Sequence, residues 1–205
     1  MIGASRQLLD LGARRLGFFS GTFDPPHDGH LRLMERVLGG RHVDCVVVCP
    51  HNHNPRKQAN RVDMIHRVAM LERLLEHSQE AARLFLCDPL FLHGLQNKAF
   101  HLISCEPRLH GREPWLVRGR DALRPGYCPV LAKLPHVVVP RDGAGNAGLQ
   151  DILSAGYVVT TPIADNSSTN VRAILAAGGF HPVNTIDQYI RTEGLYRPAP
   201  FSASG

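Results

Sequence analysis

The chain has 205 residues, enough for one compact α/β domain that buries most of the surface its unfolded form exposes. Hydrophobic residues at 43% and charged residues at 20% are ordinary for a globular protein, and no apolar run approaches the roughly 20 residues that cross a bilayer, which argues against a membrane protein. The formal charge of +5 favours anionic ligands, while the scatter of the 23 basic residues fits a phosphate-rich small molecule as well as a nucleic acid.

Residues 1–17 set Arg6, Asp10, Arg14 and Arg15 among short apolar pieces and lack the apolar centre and cleavage site of a signal peptide, so a cytoplasmic location is expected. Five cysteines without a CxxC pair point the same way, to free thiols in a reducing compartment. Apolar runs of strand length then alternate with helical patterns, the signature of βαβ units feeding a parallel sheet. Residues 16–19 form the first predicted strand. A helix follows over 28–38, with Leu31, Met34, Val37 and Leu38 on one face and Gly39-Gly40 ending it. Residues 43–49 predict a second, buried strand, and 60–77 a helix with Asn60 as N-cap and Asp63 three residues on. Strands are expected at 84–87, 115–117, 137–139 and 157–161, with a helix over 94–106 between the first two of these. Helices over 169–177 and 185–193 stop at Gly178-Gly179 and Gly194. The expected fold is a doubly wound, Rossmann-like α/β sheet with helices on both faces, forming one domain over 1–196 with a loose tail over 197–205.

Directly after the first strand comes Ser20-Gly21-Thr22-Phe23-Asp24-Pro25-Pro26-His27-Asp28-Gly29-His30-Leu31, a glycine-containing turn that opens a helix. Such a junction presents free backbone N–H groups and the positive end of the helix dipole, about half an elementary charge, to an anion. Gly21 and Gly29, without Cβ atoms, let the backbone approach a phosphate. His27 and His30, three apart across the helix start, can converge on one point and donate to phosphoryl oxygens as negative charge spreads over them. The competing reading is an ordinary turn with two surface histidines; the preceding strand and the internal glycines favour the anion site.

These residues resemble the HxGH signature of the nucleotidyltransferase superfamily, and most closely that of the nicotinate or nicotinamide mononucleotide adenylyltransferases. Near the other end of the chain, Ser167-Ser168-Thr169-Asn170-Val171-Arg172 opens a helix with hydroxyls, amides and a forked guanidinium suited to phosphate oxygens. Alone it could equally be a plain N-cap followed by a solvated arginine. It resembles the second signature of the same family, SSTxxR, which holds the β and γ phosphates of ATP. Pro55-Arg56-Lys57 with the 66–71 stretch, Arg118-Gly119-Arg120-Asp121-Ala122-Leu123, the strand end Val138-Val139-Pro140-Arg141 and the 186–196 ending resemble further family segments.

The resemblance implies transfer of an adenylyl group from ATP to a mononucleotide, with release of pyrophosphate and no covalent enzyme intermediate. It implies His27, His30 and Arg172 as catalytic residues. Gly21, Thr22, Phe23, Gly29, Ser167, Ser168 and Thr169 join them around ATP, and Lys57, Arg67, Gly119, Asp121, Tyr127 and Arg141 lie around the acceptor. Mg²⁺ is expected with ATP, held by phosphates and water rather than by a protein metal site. ATP and a mononucleotide are the expected partners, without nucleic acid or membrane, and a homo-oligomer is compatible. Two departures fall on the acceptor side: 91–100, with His93, Gln96 and Asn97, replaces the family's Ser/Thr-rich stretch, and Tyr127 stands for a tryptophan.

Other patterns weigh less. Gly143-Ala144-Gly145-Asn146-Ala147-Gly148 spells GxGxxG, which would suit a NAD-dependent oxidoreductase, but too few residues precede the next strand for a full crossover helix. Cys45, Cys49, His51 and His53 could be drawn as zinc ligands, yet both cysteines fall inside a buried strand. Asn166-Ser167-Ser168 matches the glycosylation pattern, without consequence in a cytosolic protein. The rival functions are another transferase of the superfamily, such as one acting on phosphopantetheine, and a nucleotide- or RNA-binding module without turnover. Aromatic content of 6% without a basic-aromatic stripe gives the binding module little support.

Overall fold

A computed structural model describes residues 12–51, 62–87, 111–142, 145–164 and 167–197. Six parallel strands form one sheet: β1 (Arg15–Gly21), β2 (Cys45–Pro50), β3 (Leu84–Leu86), β4 (Glu113–Gly119), β5 (His136–Val139) and β6 (Tyr157–Val159). Their spatial order is β3-β2-β1-β4-β5-β6, the doubly wound arrangement expected from the alternating pattern. Strand β2 is buried at every residue because it pairs on both sides and is covered on both faces, which is why it reads as an unbroken apolar run.

The helices are α1 (Asp28–Gly39), α2 (Met64–Glu76), the single turns α3 (Pro129–Ala132) and α4 (Leu149–Ile152), α5 (Ser168–Ala176) and α6 (Asn184–Thr192). Phe19, Phe23, Val46, Val48, Val117 and Val137 form a core with Met34, Val37 and Leu38 of α1 and Leu71 and Leu75 of α2 on one face of the sheet. On the other face Phe18, Val47, Phe85 and Leu116 pack together, continued by Leu123, Val138, Leu149 and Leu153. Helices α5 and α6 dock against α2 through Met70, Leu74, Val171, Leu175, Ile186 and Ile190.

Element limits differ from the periodicity at their ends. The first helix of the 60–77 pattern starts at Met64 after Asp63, whose side chain makes no capping bond, and Asn60 lies outside the described residues. Strand β4 begins at Glu113, and β1 at Arg15, because ladder pairing of Arg15 with Glu113 carries both strands past their apolar centres. Strand β6 stops at Val159 at the sheet edge, with Thr160 and Thr161 outside it. The helix expected over 94–106 and the 91–100 region lie outside the described residues. Leu33 is buried on α1 where Leu31 was expected, and Leu31 packs at the junction with α5 and α6.

The order of strands reverses between β1 and β4, so their connections leave in opposite directions and open a crevice at the carboxyl ends, where Gly21 and Gly119 lie. Among the described residues no helix is long and apolar enough to cross a membrane.

Candidate active site

The first motif turns the chain from β1 into α1 under tight local constraints. Phe23 has φ of +48, and its ring is buried, 5.4 Å from Phe19 and 4.9 Å from His30 between centroids. A Cβ on Gly21 would meet that ring at 3.0 Å, so any larger residue at the strand end would press on Phe23 where it folds back. The Asp24-Pro25 peptide is cis.

His27 is the N-cap of α1 and is 2% exposed, so it is not the surface histidine of the competing reading. Its Nδ1 accepts from the backbone N–H of Gly29 at 3.1 Å, and Nδ1 of His30 accepts from the N–H of His27 at 3.2 Å. The two imidazoles thus form a reciprocal capping box in place of the usual hydroxyl and carboxylate. An Nδ1 that accepts from an amide cannot carry a proton, so each neutral ring holds its proton on Nε2. With centroids 3.8 Å apart and planes inclined by 35°, the pair forms a stacked set of two N–H donors at the start of a helix.

The second motif packs onto the first. Ser167 caps α5 by accepting from the N–H of Asn170 at 3.2 Å. The Ser168 hydroxyl donates to the carbonyl of Pro25 at 2.9 Å, and Arg172 donates through Nη1 to the carbonyl of Asp24 and through Nη2 to Thr169 Oγ1 at 3.2 Å. The amino ends of α1 and α5 therefore meet around residues 24–26, although 143 residues separate Ser168 from Pro25.

Two further residues, Tyr196 and His181, hold this turn. Tyr196 donates to the buried Asp24 carboxylate at 2.5 Å; burial and that carboxylate push its phenol far up, so it keeps its proton. Nε2 of His181 donates to the carbonyl of Pro26 at 2.8 Å while Nδ1 accepts from Val183 N–H at 3.0 Å, and burial lowers its pKa, so the ring is neutral. Tyr196 ends the 186–196 segment that resembles the family, and His181 sits in no motif.

A cavity of about 130 Å³ at the crevice is lined by Gly21, His27, Gly29, His30, Arg118, Gly119, Asp121 and Arg141, with Phe19, Leu33 and Ile163 as apolar walls. A larger open groove of about 750 Å³ beside Arg32, Arg36 and Thr161 contains none of the motif residues, so the smaller cavity is the candidate site.

The expected acceptor residues divide. Gly119, Asp121 and Arg141 reach the cavity, and Arg141 lies 3.7 Å from the half-exposed Asp121 carboxylate, a spacing too long and wet to stabilise much. Arg67 is 1% exposed and donates to backbone carbonyls of Val62 at 2.9 Å, Thr22 at 2.6 Å and His51 at 3.1 Å, so its visible work is to hold three loop ends together. Tyr127 donates to Nε2 of His136 at 3.0 Å; the opposite nitrogen, Nδ1, donates to the carbonyl of Leu134 at 2.7 Å. Burial, partly offset by that hydrogen bond and reinforced by the charge of Arg118, lowers the His136 pKa to about 4. Lys57 lies outside the described residues, as do His53, His93, Gln96 and Asn97.

The other patterns fare as their spacing suggested. Only the one-turn helix α4 separates Gly148 from β6, too short for a dinucleotide crossover, while Gly143 and Ala144 lie outside the described residues. Cys45 and Cys49 are buried thiols, and burial pushes Cys45 up to about 12. Among the described residues no three His, Cys, Asp or Glu side chains are grouped to hold a metal.

A parallel sheet with a histidine pair at its switch point defines a nucleotidyltransferase of the HxGH type, and the chain belongs to the cytidylyltransferase-like family, whose model matches residues 18–174. Relatives include a probable nicotinate-nucleotide adenylyltransferase of Gemmatimonas aurantiaca, 32% identical over 91% of this chain and 94% of the relative. One of the same description from Coprothermobacter proteolyticus is 27% identical over 92% of this chain and 98% of the relative. The fold is shared with the nicotinic acid mononucleotide adenylyltransferase of Plasmodium falciparum complexed with NaAD, at a TM-score of 0.71, 15% identity, and coverage of 89% of this chain and 97% of that one.

Proposed function

We propose that the protein joins the adenylyl group of ATP to nicotinate or nicotinamide mononucleotide, releasing pyrophosphate, as a step of NAD synthesis. The observation that carries this reading is the docking of two helix amino ends on residues 24–26 beside two Nε2–H imidazoles. In this reading, Nε2–H of His27 and His30 donate to the α-phosphate and its bridging oxygen. The backbone N–H groups of Ser168 and Thr169 and the guanidinium of Arg172 receive the β and γ phosphates. The Ser168 hydroxyl, which donates to Pro25, holds the helix start, while the Ser167 and Thr169 oxygens accept in the bonds above and keep their O–H groups to donate to phosphate oxygens. Gly21, Thr22, Phe23 and Gly29 let the backbone close on ATP.

An oxygen of the acceptor's phosphate attacks the α-phosphorus in line. The new O–P bond forms as the bond to the bridging oxygen breaks, and pyrophosphate leaves with the electron pair. Positioning and charge neutralisation supply the catalysis, with no protein nucleophile. Mg²⁺ bound with ATP would neutralise part of the triphosphate charge without needing a protein carboxylate site. Gly119, Asp121 and Arg141 border the acceptor. Tyr127 and Arg67 serve it indirectly, through His136 and through the 22 and 51 backbones.

The test is pyrophosphate release from ATP and Mg²⁺ with nicotinate mononucleotide, nicotinamide mononucleotide or phosphopantetheine. Release with either mononucleotide supports the reading. Release only with phosphopantetheine replaces the acceptor, and binding without release in any mixture leaves a nucleotide-binding module.

A further inference from the structure

Arg118 has no part in the roles assigned above. It is the penultimate residue of β4, is 8% exposed, and lines the same cavity of about 130 Å³ as His27 and His30. Its Nη1 donates to the carbonyls of Val117 at 2.9 Å and Phe18 at 3.3 Å. Among the described residues no carboxylate pairs with it, and Nε and Nη2 have no protein acceptor. A buried guanidinium whose charge nothing offsets is strongly unfavourable, and an anion entering the cavity relieves it.

Strand alternation decides which side of the crevice Arg118 serves. Val117 packs with Phe19 and Phe23 on the α1 face, whereas Leu116 packs with Phe18 on the opposite one, so Arg118 shares the face of Leu116. His136 pairs with Leu116 in register and belongs to that face too. Helix α5, whose amino end is assigned to the pyrophosphate, lies with α2 on the α1 face. In-line displacement puts entering and leaving oxygens on opposite sides of the α-phosphorus. The acceptor therefore enters from the Arg118 side.

We infer that Arg118 holds the attacking phosphate of the acceptor mononucleotide. This rests on the adenylyltransferase reading and adds a residue to it. The reaction must bring two anions together, and a guanidinium behind the acceptor offsets their repulsion. Its donors fix two phosphate oxygens in a fork and leave the third to attack. Arg118 shares one small cavity with the two imidazoles, so its anion is the reacting phosphate rather than a carboxylate at the far edge of a pyridine ring.

Steady-state kinetics of the wild type, Arg118→Met and Arg118→Lys test this with ATP and each mononucleotide, with folding followed by thermal unfolding. In Arg118→Met, KM for both mononucleotides is expected to rise about tenfold or more and kcat to fall, with KM for ATP changed less than about twofold. Arg118→Lys, keeping charge but losing the fork, is expected to lie between, about threefold above the wild type in mononucleotide KM. A rise in KM for ATP alone, an effect confined to the nicotinate form, or unchanged kinetics would overturn the inference. Should Arg118→Met fail to fold, the lysine variant decides by the same criterion. If the wild type releases no pyrophosphate with any mononucleotide, the functional reading itself fails. Calorimetric titration of nicotinate mononucleotide into wild type and Arg118→Lys then still judges Arg118, equal affinities counting against it.

Discussion

Replacing His30 by alanine separates the two jobs of one ring. Its Nδ1 accepts from the N–H of His27, so truncation removes one capping bond, which costs about 1 kcal/mol. For a chain of 205 residues that is a drop in Tm of about 2–4 °C, plus a small loss from the edge contact with Phe23 at 4.9 Å. Its Nε2–H is the proposed donor to the α-phosphate in the transition state, and losing one such donor costs about 3–4 kcal/mol, or roughly 10²–10³ in kcat. The two effects are unequal: stability changes little and turnover collapses. Pyrophosphate release under saturating ATP and mononucleotide measures the second, and differential scanning calorimetry the first. Turnover within about threefold of the wild type at an unchanged melting temperature would refute the donor role, because the remaining imidazole and helix start would suffice.

Three other outcomes are expected. Tyr196→Phe leaves the buried Asp24 carboxylate without its phenol donor and should cost about 1.5–3 kcal/mol in urea unfolding; a loss under about 0.3 kcal/mol would show that the latch carries no weight. Gly21→Ala places a methyl 3.0 Å from the buried Phe23 ring, so it should destabilise by about 1–3 kcal/mol and lower turnover; a fully active, equally stable variant would contradict the packing argument. His136 is held at about 4, well below an ordinary histidine, so between pH 6.5 and 4 the unfolded chain binds more protons than the folded one. Stability should therefore be fully present above that window and fall as pH drops through it, by up to about 3 kcal/mol. Equal pH slopes for wild type and His136→Gln in urea titrations would exclude this histidine as a source.

Much of the architecture is local in origin and so was readable. Val46, Val47 and Val48 form an apolar run because a strand flanked and covered on both sides has no polar face to show. Both signature motifs lie at helix starts, where unsatisfied N–H groups are a property of any helix. The reciprocal histidine cap was not visible: HxxH does not say which nitrogen accepts, and only the bonds from Gly29 N–H and His27 N–H settle where the protons sit. Arg67 illustrates the opposite case. A basic residue within a family segment suggests a ligand contact, yet burial turns its donors to the carbonyls of Val62, Thr22 and His51.

Strand and helix periods, the parallel order they imply and the two anion-ready turns follow from residues within a dozen positions of one another, so sequence sufficed for them. The contacts of Tyr196 with Asp24, His181 with Pro26 and Ser168 with Pro25 span 172, 155 and 143 residues, and nothing in a linear pattern pairs them. The same holds for the face of the sheet from which Arg118 meets the cavity. A hydrogen bond is chosen by distance and direction in three dimensions, and only the folded chain supplies those.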